Sequence, residues 1–242
     1  GVSTTFSELE EEAQHAARRL TAYGVRRGAT VAMTMRGGRE QVVLIHALMK
    51  TGSVLLPVSP RLSDEERSRA LKQCRVSIDL DEPDRLTRTE ADMPLLGEHD
   101  MEDIHCRILT SGSSGAAHAV GLTYGNHLFS AMGSAYNIGV DPGDRWLCAL
   151  PLSHISGLSI IMRSVIYGTA VVLHDGFDVD AVARSIPEKG VTMISMVSTM
   201  LLRLLDAGAD LSAPRAILVG GGPVPQEALE RALDRGANVI QT

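Results

Sequence analysis

Short apolar segments alternate with helix-length segments along almost the whole chain, and this alternation limits the possible folds more than any other feature. The intervening segments have the 3.6-residue hydrophobic period of amphipathic helices. Strands separated by such helices pair in parallel and are covered on both faces. The sequence therefore predicts an α/β fold of parallel βαβ sheets with helices on both faces, with strands near 31–35, 54–58, 76–80, 104–110, 146–150, 170–174, 191–195, 216–219 and 237–241.

Local signals predict the ends of the first helices. Ser7 with Glu10 and Ser63 with Glu66 have the Ser-x-x-Glu spacing, in which each side chain can satisfy the other residue's backbone N–H. Gly24 is a suitable stop for the first helix, because glycine readily takes the left-handed conformation that ends helices. Another helix is predicted from about Arg39 to Lys50.

The composition changes between Asp81 and Asp103, where nine acidic residues accompany only two arginines. Pro83 and Pro94 interrupt any hydrophobic period in this segment. We interpret it as a surface connection between two lobes. The predicted organisation is an amino-terminal α/β lobe at 1–80, an acidic connecting segment at 81–103 and a second α/β lobe at 104–242.

Composition also excludes several classes of protein. A net charge of −6 without a basic face argues against nucleic-acid binding. The longest apolar stretch, 154–173, is interrupted by Arg163 and Gly168, so no membrane span is predicted. Three cysteines without a CxxC pair predict neither a disulfide framework nor a protein metal site, and they favour a reducing cytoplasm: Cys74, Cys106 and Cys148.

Residues 110–127 read TSGSSGAAHAVGLTYGNH, a segment rich in glycine and serine between a predicted strand and a helix that should begin near Tyr124. Backbone N–H groups and hydroxyls at such a position can surround phosphate oxygens. A flexible turn would have the same composition. The segment is not a Walker A loop, because it lacks the terminal Gly-Lys-Ser/Thr. These residues alone leave both interpretations open.

The same segment resembles the phosphate loop of the acyl-adenylate-forming superfamily, which includes the acyl-CoA synthetases. The resemblance extends to TFSELEEEAQHAARRL, to LMKTGSVLLPVSPRLSDEE (48–66) and to AILVGGGPVP (216–225). The string WLCALPLSHISGLSIIMRSVIYGTAVVLHDGFD (146–178) is especially similar to the o-succinylbenzoate-CoA ligases of menaquinone biosynthesis. This long string is a far more specific signal than the loop.

The resemblance implies a two-step ligase reaction. A carboxylate attacks the α-phosphate of ATP, which gives an acyl-adenylate and pyrophosphate, and the thiol of coenzyme A then displaces AMP. The implied ligands are ATP, coenzyme A, Mg²⁺ as cofactor and an aromatic carboxylate, with a homo-oligomer as one possible assembly. Dipoles and cations that offset the developing phosphate charge are the main chemical requirement.

The resemblance also implies roles for particular residues. Phosphate binding is assigned to Thr110, Ser111, Gly112, Ser113, Ser114 and Gly115, with His118 where the family usually has lysine. The adenine and acyl side of the site is assigned to Gly220, Gly221, Gly222 and Pro223. His154 would lie at the pocket wall, and the remaining nucleotide-side positions are Ser198, Thr199, Gln241 and Thr242.

Arg163 interrupts an otherwise apolar helix, ISGLSIIMRSVIYG, that is predicted to bury Leu158, Ile161, Val165 and Ile166. An unpaired guanidinium there would be costly to desolvate. A structural ion pair or snorkelling to the surface would explain it. The resemblance implies instead that Arg163 holds the second carboxylate of o-succinylbenzoate, since only one of the two is activated.

Two departures from the family pattern affect the expected activity. His118 is mostly uncharged near pH 7, so it should bind triphosphate more weakly than lysine. The Tyr-Gly-x-Thr-Glu motif, the ribose-binding aspartate and the lysine-bearing carboxy-terminal domain do not occur in these 242 residues. We expect an amino-terminal core, truncated before the carboxy-terminal domain and inactive alone. The alternatives are another acyl-CoA ligase, or a non-catalytic acyl- or nucleotide-binding module.

Overall fold

The computed structural model describes residues 2–81, 89–110 and 118–242. These ranges contain eight helices and ten strands, which belong to two compact units, 1–127 and 128–242. Each unit has its own five-stranded sheet. No helix in the described ranges combines the length and the apolar character that crossing a membrane requires.

The elements of the first unit follow the predicted alternation. They are α1 (Phe6–Tyr23), β1 (Thr30–Thr34), α2 (Arg39–Thr51), β2 (Val54–Val58), α3 (Asp64–Gln73), β3 (Ile78–Leu80), β4 (Ile104–Thr110) and β5 (His118–Thr123), after which α4 (Tyr124–Ile138) begins. The strand order is β3-β1-β2-β4-β5. All residues of β1 and β2 are buried, as expected for central strands covered on both faces.

One strand of this sheet differs from the prediction. Residues 118–123 were expected in a loop, but they form β5, which pairs antiparallel with β4. The register changes from Ile104 opposite Thr123 to Cys106 opposite Leu122, so His105 is an additional residue in β4. This is a β-bulge, which disturbs the usual alternation of side chains between the two faces of a strand. The sheet is therefore parallel except for this hairpin.

Helix capping was predicted correctly for α3 and two residues too late for α1. Ser63 and Glu66 form the expected reciprocal capping box. In α1 the box is formed by Thr5 and Glu8, and Ser7 with Glu10 does not form it. Both pairs have the required spacing, and the helix extends to the earlier one. Glu10 instead accepts a hydrogen bond of 2.6 Å from Lys50 Nζ on α2.

The first unit extends further along the chain than the predicted lobe at 1–80. Its sheet includes β4, because Leu55 of β2 pairs with Cys106. Part of the acidic segment also belongs to it: the Ala91 N–H donates to the Arg18 carbonyl, and the Leu96 N–H donates to the Lys50 carbonyl. Strand pairing thus assigns 104–127, which we expected to begin the second lobe, to the first unit.

The second unit has a fully parallel sheet. Its strand order is β10-β9-β8-β6-β7, built from β6 (Arg145–Cys148), α5 (Ile155–Tyr167), β7 (Ala170–Leu173), α6 (Val179–Glu188), β8 (Met193–Val197), α7 (Ser198–Asp206), β9 (Ala216–Gly220), α8 (Gln226–Asp234) and β10 (Val239–Gln241). The chain goes from β6 to β7 on one side and then returns to β8 on the other. Strand order therefore reverses between β6 and β8, a position where parallel α/β sheets commonly bind ligands.

A buried ion pair holds together the segments that precede three of these strands. Asp144, which is 3% exposed, accepts hydrogen bonds from Arg215 Nε at 2.8 Å and from Thr192 Oγ1 at 2.8 Å. Burial alone would raise the pKa of Asp144, but hydrogen bonds from Arg215, the Asp141 N–H and Thr192 outweigh it and hold the pKa at about 2. Arg215 also donates to the Ile138 carbonyl at 2.6 Å.

This ion pair predicts a specific acid sensitivity. An aspartate in the unfolded chain has a pKa of about 3.9. Because folding lowers the pKa of Asp144, its ionised form adds about 2 kcal/mol to the free energy of unfolding above pH 4. This contribution is lost as the pH falls towards 2. Urea unfolding between pH 7 and pH 2.5 should show this loss, and it should be absent in Asp144→Asn. Asp206→Asn, which removes an exposed ion pair with Arg231, should retain it. Identical pH profiles for both variants would contradict the assignment.

Candidate functional site

A cavity of about 460 Å³ opens at the carboxyl ends of the strands in the second unit. Strands β6, β8, β9 and β10 contribute the residues at or just after their ends: Leu150, Ser195, Met196, Val197, Leu218, Gly220, Gly221, Ile240, Gln241 and Thr242. Parallel strands place all their carboxyl ends at one edge, which is why segments far apart in sequence meet here. The volume suits a small-molecule ligand.

Two helices line the rest of the cavity with mainly small polar side chains. Helix α4 contributes Ser130, Gly133, Ser134, Asn137 and Ile138, and α5 contributes Ser156, Ser159 and Arg163. The sequence analysis did not assign the α4 residues. Their spacing was the available signal, because positions i, i+3, i+4 and i+7 share one helix face. The two helices therefore offer hydroxyls and one amide around a single arginine.

Arg163 is the one permanent cation among the described residues that line this cavity. Its Nη2 donates to Ser130 Oγ at 3.2 Å, and its guanidinium carbon lies 5.5 Å from the centre of the Trp146 ring. Its Nε is buried without a hydrogen-bond partner in the described structure. Burial lowers the pKa of Arg163, although Tyr167 opposes this effect. A structural ion pair, one of the alternative explanations for this arginine, is not found within the described residues, so the charge is available to an anion.

The helix around Arg163 is less buried than predicted. Leu158 and Ile161 are buried, as expected, but Val165 is 46% exposed and Ile166 is 38% exposed. The four apolar residues do not share one face of α5, because its outer face lies on the surface of the unit. Trp146, next to Arg163, is 2% exposed and donates from Nε1 to Ser195 Oγ at 3.0 Å. This bond fixes the indole ring under the guanidinium.

Glycines allow close backbone approach at two parts of the site. A Cβ added at Gly220 would collide with Thr242, whose carbonyl oxygen would be 2.8 Å away. Gly221 has φ of +79°, a conformation that other residues rarely adopt. At the start of α5, a Cβ on Gly157 would lie 2.5 Å from the Pro151 carbonyl oxygen. Side chains at these positions would displace the strand ends and the helix that form the cavity.

The other residues assigned to the second unit lie around the cavity without lining it. His154 is the exposed N-cap of α5 and makes no side-chain cap hydrogen bond. Ser198 begins α7 and its hydroxyl donates to the Pro223 carbonyl at 2.9 Å. Thr199 and Gly222 are exposed. The structure thus brings five assigned residues together along one cavity: Arg163, Gly220, Gly221, Gln241 and Thr242.

The residues assigned to phosphate binding belong to the first unit. Thr110 ends β4 and His118 begins β5, and they are directly opposite each other in the hairpin. The Thr110 hydroxyl donates to the His118 carbonyl at 3.1 Å, and both residues are exposed. Ser111, Gly112, Ser113, Ser114 and Gly115 lie outside the described residues.

Comparison with known proteins identifies relatives over nearly the whole chain. The family described as AMP-binding enzyme matches residues 1–242. A 2-succinylbenzoate-CoA ligase of Bacillus cereus is 37% identical over 98% of this chain and 53% of its own length. The chain therefore spans about half the length of the curated relatives it matches.

Solved structures of o-succinylbenzoate coenzyme A synthetase from Bacillus subtilis have the same fold. The complex with the acyl-adenylate intermediate superposes with a TM-score of 0.92 at 36% identity and covers 98% of this chain and 67% of that one. The complex with ATP and magnesium gives 0.89 at 37% identity and covers 98% and 54%. The sequence motifs, the parallel α/β fold and these matches together show that the chain belongs to the AMP-binding enzyme family.

Proposed function

We propose that this chain is the acyl- and nucleotide-binding core of an AMP-forming ligase that converts o-succinylbenzoate to its coenzyme A thioester. The single observation that carries the proposal is the uncompensated guanidinium of Arg163 inside the cavity. The guanidinium is partly buried, its Nε has no hydrogen-bond partner in the described structure, and an anionic ligand would compensate its charge. The relatives that are 2-succinylbenzoate-CoA ligases act on a substrate with two carboxylates.

Arg163 fits the carboxylate that is not activated. Its fork can donate two parallel hydrogen bonds to a planar carboxylate. The Ser130 hydroxyl and the Trp146 ring hold the guanidinium in place from two sides. The hydroxyls of Ser156 and Ser159 on the same helix offer additional hydrogen bonds to a bound acid. The acyl group would therefore enter with its free carboxylate towards α5.

The ends of β9 and β10 are proposed for the adenylate. Gly220 and Gly221 have no side chains that would keep a ligand away from the backbone. Gln241 and Thr242 follow on the neighbouring strand, and the Thr242 N–H donates to the Val219 carbonyl. We assign further contacts with the nucleotide or acyl group to residues around the rim, namely His154, Ser198, Thr199, Gly222 and Pro223.

Phosphate binding is proposed for residues 110–118, which follow β4 and lead into β5 in the sequence. ATP and coenzyme A are the proposed co-substrates, as the Bacillus relatives indicate. Mg²⁺ usually binds one or two carboxylates together with substrate phosphates. The described residues that line the cavity include no carboxylate, so this part of the chain does not supply that ligand set and we assign no step to the metal. A cytoplasmic location is proposed, consistent with free cysteines at Cys74, Cys106 and Cys148.

Arg163 also favours this ligase over one of the two alternatives, another acyl-CoA ligase. An acyl-CoA ligase for a monocarboxylic acid would have no use for a second carboxylate anchor in its acyl pocket. A non-catalytic module would keep the binding residues without turnover. Binding and turnover by the 242-residue chain are therefore measured separately.

The role of Arg163 predicts a selective loss of binding. Loss of a charge-assisted hydrogen bond costs about 1.5 to 3 kcal/mol, so Arg163→Gln should weaken binding of the sulfamoyl analogue of o-succinylbenzoyl adenylate by roughly ten- to hundredfold. Calorimetric titration of the chain measures this. An analogue without the free carboxylate should bind the variant and the parent equally.

A matched control separates this role from a loss of packing. Arg203 stacks on Phe177 at 5.1 Å, much as Arg163 stacks on Trp146, but it does not line the cavity. Arg203→Gln should therefore leave binding of both analogues unchanged. Equal losses for both analogues in Arg163→Gln, together with a lower melting temperature, would assign Arg163 a structural role.

The 242-residue chain alone is predicted to bind the acyl-adenylate analogue without making acyl-CoA. The attack on ATP builds negative charge at the α-phosphate, and the described lining provides no cation other than Arg163, which we assign to the substrate. Pyrophosphate release from ATP and o-succinylbenzoate should therefore stay at background. Release at a rate near that of the Bacillus subtilis synthetase would contradict this prediction.

His118→Lys is predicted to strengthen ATP binding. Lysine is charged throughout the neutral range, whereas an imidazole is mostly uncharged above pH 7. The expected gain at pH 8 is about fivefold, because an exposed charge contact contributes about 1 kcal/mol. His15→Lys, at an exposed histidine on α1, is the control for net charge. Equal ATP affinity of parent and His118→Lys would show that residue 118 does not contact the nucleotide.

A further inference from the structure

A buried cluster of soft ligand atoms lies in the first unit, among residues that the proposed ligase reaction does not use. His105 and Cys106 are consecutive in β4, and His127 is in the first turns of α4. Their exposed fractions are 1%, 0% and 6%. The three ligand atoms all lie within 4.8 Å of one another.

The β-bulge in β4 explains how two consecutive residues reach the same place. In a regular strand, His105 and Cys106 would point to opposite faces of the sheet. The additional residue at His105 breaks that alternation, so both side chains approach His127. His105 Nδ1 lies 3.0 Å from His127 Nε2, and Cys106 Sγ lies 3.7 Å from the same nitrogen.

Two of these separations are close to those of a metal centre, and the third, between His105 Nδ1 and Cys106 Sγ, is at most 4.8 Å and would close on binding. Metal–nitrogen bonds of about 2.0 Å and a metal–sulfur bond of about 2.3 Å place ligand atoms roughly 3.3 to 3.7 Å apart. The sulfur–nitrogen distance already fits, and the contact between the two histidines would open by a few tenths of an ångström. A hydrogen bond between the imidazoles explains the 3.0 Å contact alone, but it gives no role to the neighbouring sulfur.

The charge balance of the site favours a monovalent ion. The rings packed against His105 are those of Tyr124 and His127, and Asp103 is a carboxylate that acts on Tyr124 but is not one of the three ligands. Binding removes the proton from the Cys106 thiol and releases it to solvent, so the protein part of the site carries one negative charge. With Cu⁺ the buried centre is neutral, whereas Zn²⁺ would leave a net positive charge that burial disfavours.

We propose that His105, Cys106 and His127 form a buried three-coordinate site for a soft metal ion, Cu⁺ in preference to Zn²⁺. Thiolate and imidazole are the ligand types that Cu⁺ binds well. The site would join β4 to the start of α4 and stabilise the folded first unit, because an ion that binds only the folded state raises its stability. The unpartnered buried Nε2 of His105 and hydroxyl of Tyr124 show that polar atoms around this cluster are not satisfied within the described structure.

The test is a competition for Cu⁺ between the reduced, oxygen-free 242-residue chain and bicinchoninate. The chain should withdraw one Cu⁺ from the chelator, and Cys106→Ser should lower the apparent affinity at least a hundredfold. Cys74→Ser is the matched control, because Cys74 is also a buried free cysteine of the first unit. It should bind Cu⁺ as the parent does. Because the three ligands are buried, the ion is added both to the folded chain and during refolding.

X-ray absorption of the loaded parent chain gives a result that does not depend on whether a variant folds. It should show one sulfur and two nitrogen ligands, and the melting temperature should rise on loading. The proposal is overturned if no Cu⁺ is retained against bicinchoninate, if Cys106→Ser binds it as well as the parent, or if Zn²⁺ competes on equal terms. None of these readouts involves ligase activity, so they are independent of the proposed function.

Discussion

Parallel pairing of β6, β8, β9 and β10 is the constraint on which the cavity of the second unit depends. The register of the strands, which places Ile194 opposite Ile217 and Ile217 opposite Val239, brings their carboxyl ends to one edge. The Asp144–Arg215 pair secures the opposite edge, where the strands begin. Because both edges are fixed, Gly220 and Thr242 lie close together although they come from different strands. The binding surface follows directly from the sheet.

Arg163 differs from the Asp144–Arg215 pair, because it contributes to the site through a charge that no carboxylate in the described residues neutralises. Its contacts with Ser130 and Trp146 orient the guanidinium, but neither neutralises its charge. Such an arrangement lowers the stability of the free protein, and the binding of an anion recovers that loss. Arg215, in contrast, has a carboxylate partner within the fold, Asp144, and this ion pair contributes only to stability. The two arginines therefore differ in function because of their partners.

The two units use the same alternation of strand and helix with one structural difference. The second sheet is entirely parallel, whereas the first ends in the β4–β5 hairpin. That hairpin joins Thr110 directly to His118 across the pair, and its bulge turns His105 towards Cys106 and His127. One additional residue in β4 thus brings His105 and Cys106 into the same cluster, whereas a regular strand would have placed their side chains on opposite faces of the sheet.

The sequence by itself determined the class of fold, the order of most strands and helices, and the family, because hydrophobic period and motif spacing are local properties. Helix α3 with its Ser63–Glu66 box and the predicted strand at 54–58 illustrate this. Only the tertiary structure decided the pairing of β5 and the membership of 104–127 in the first unit. It also decided that Arg163 has no carboxylate partner in the described residues and that α4 lines its cavity. These outcomes depend on contacts between residues distant in the chain, which local patterns do not specify.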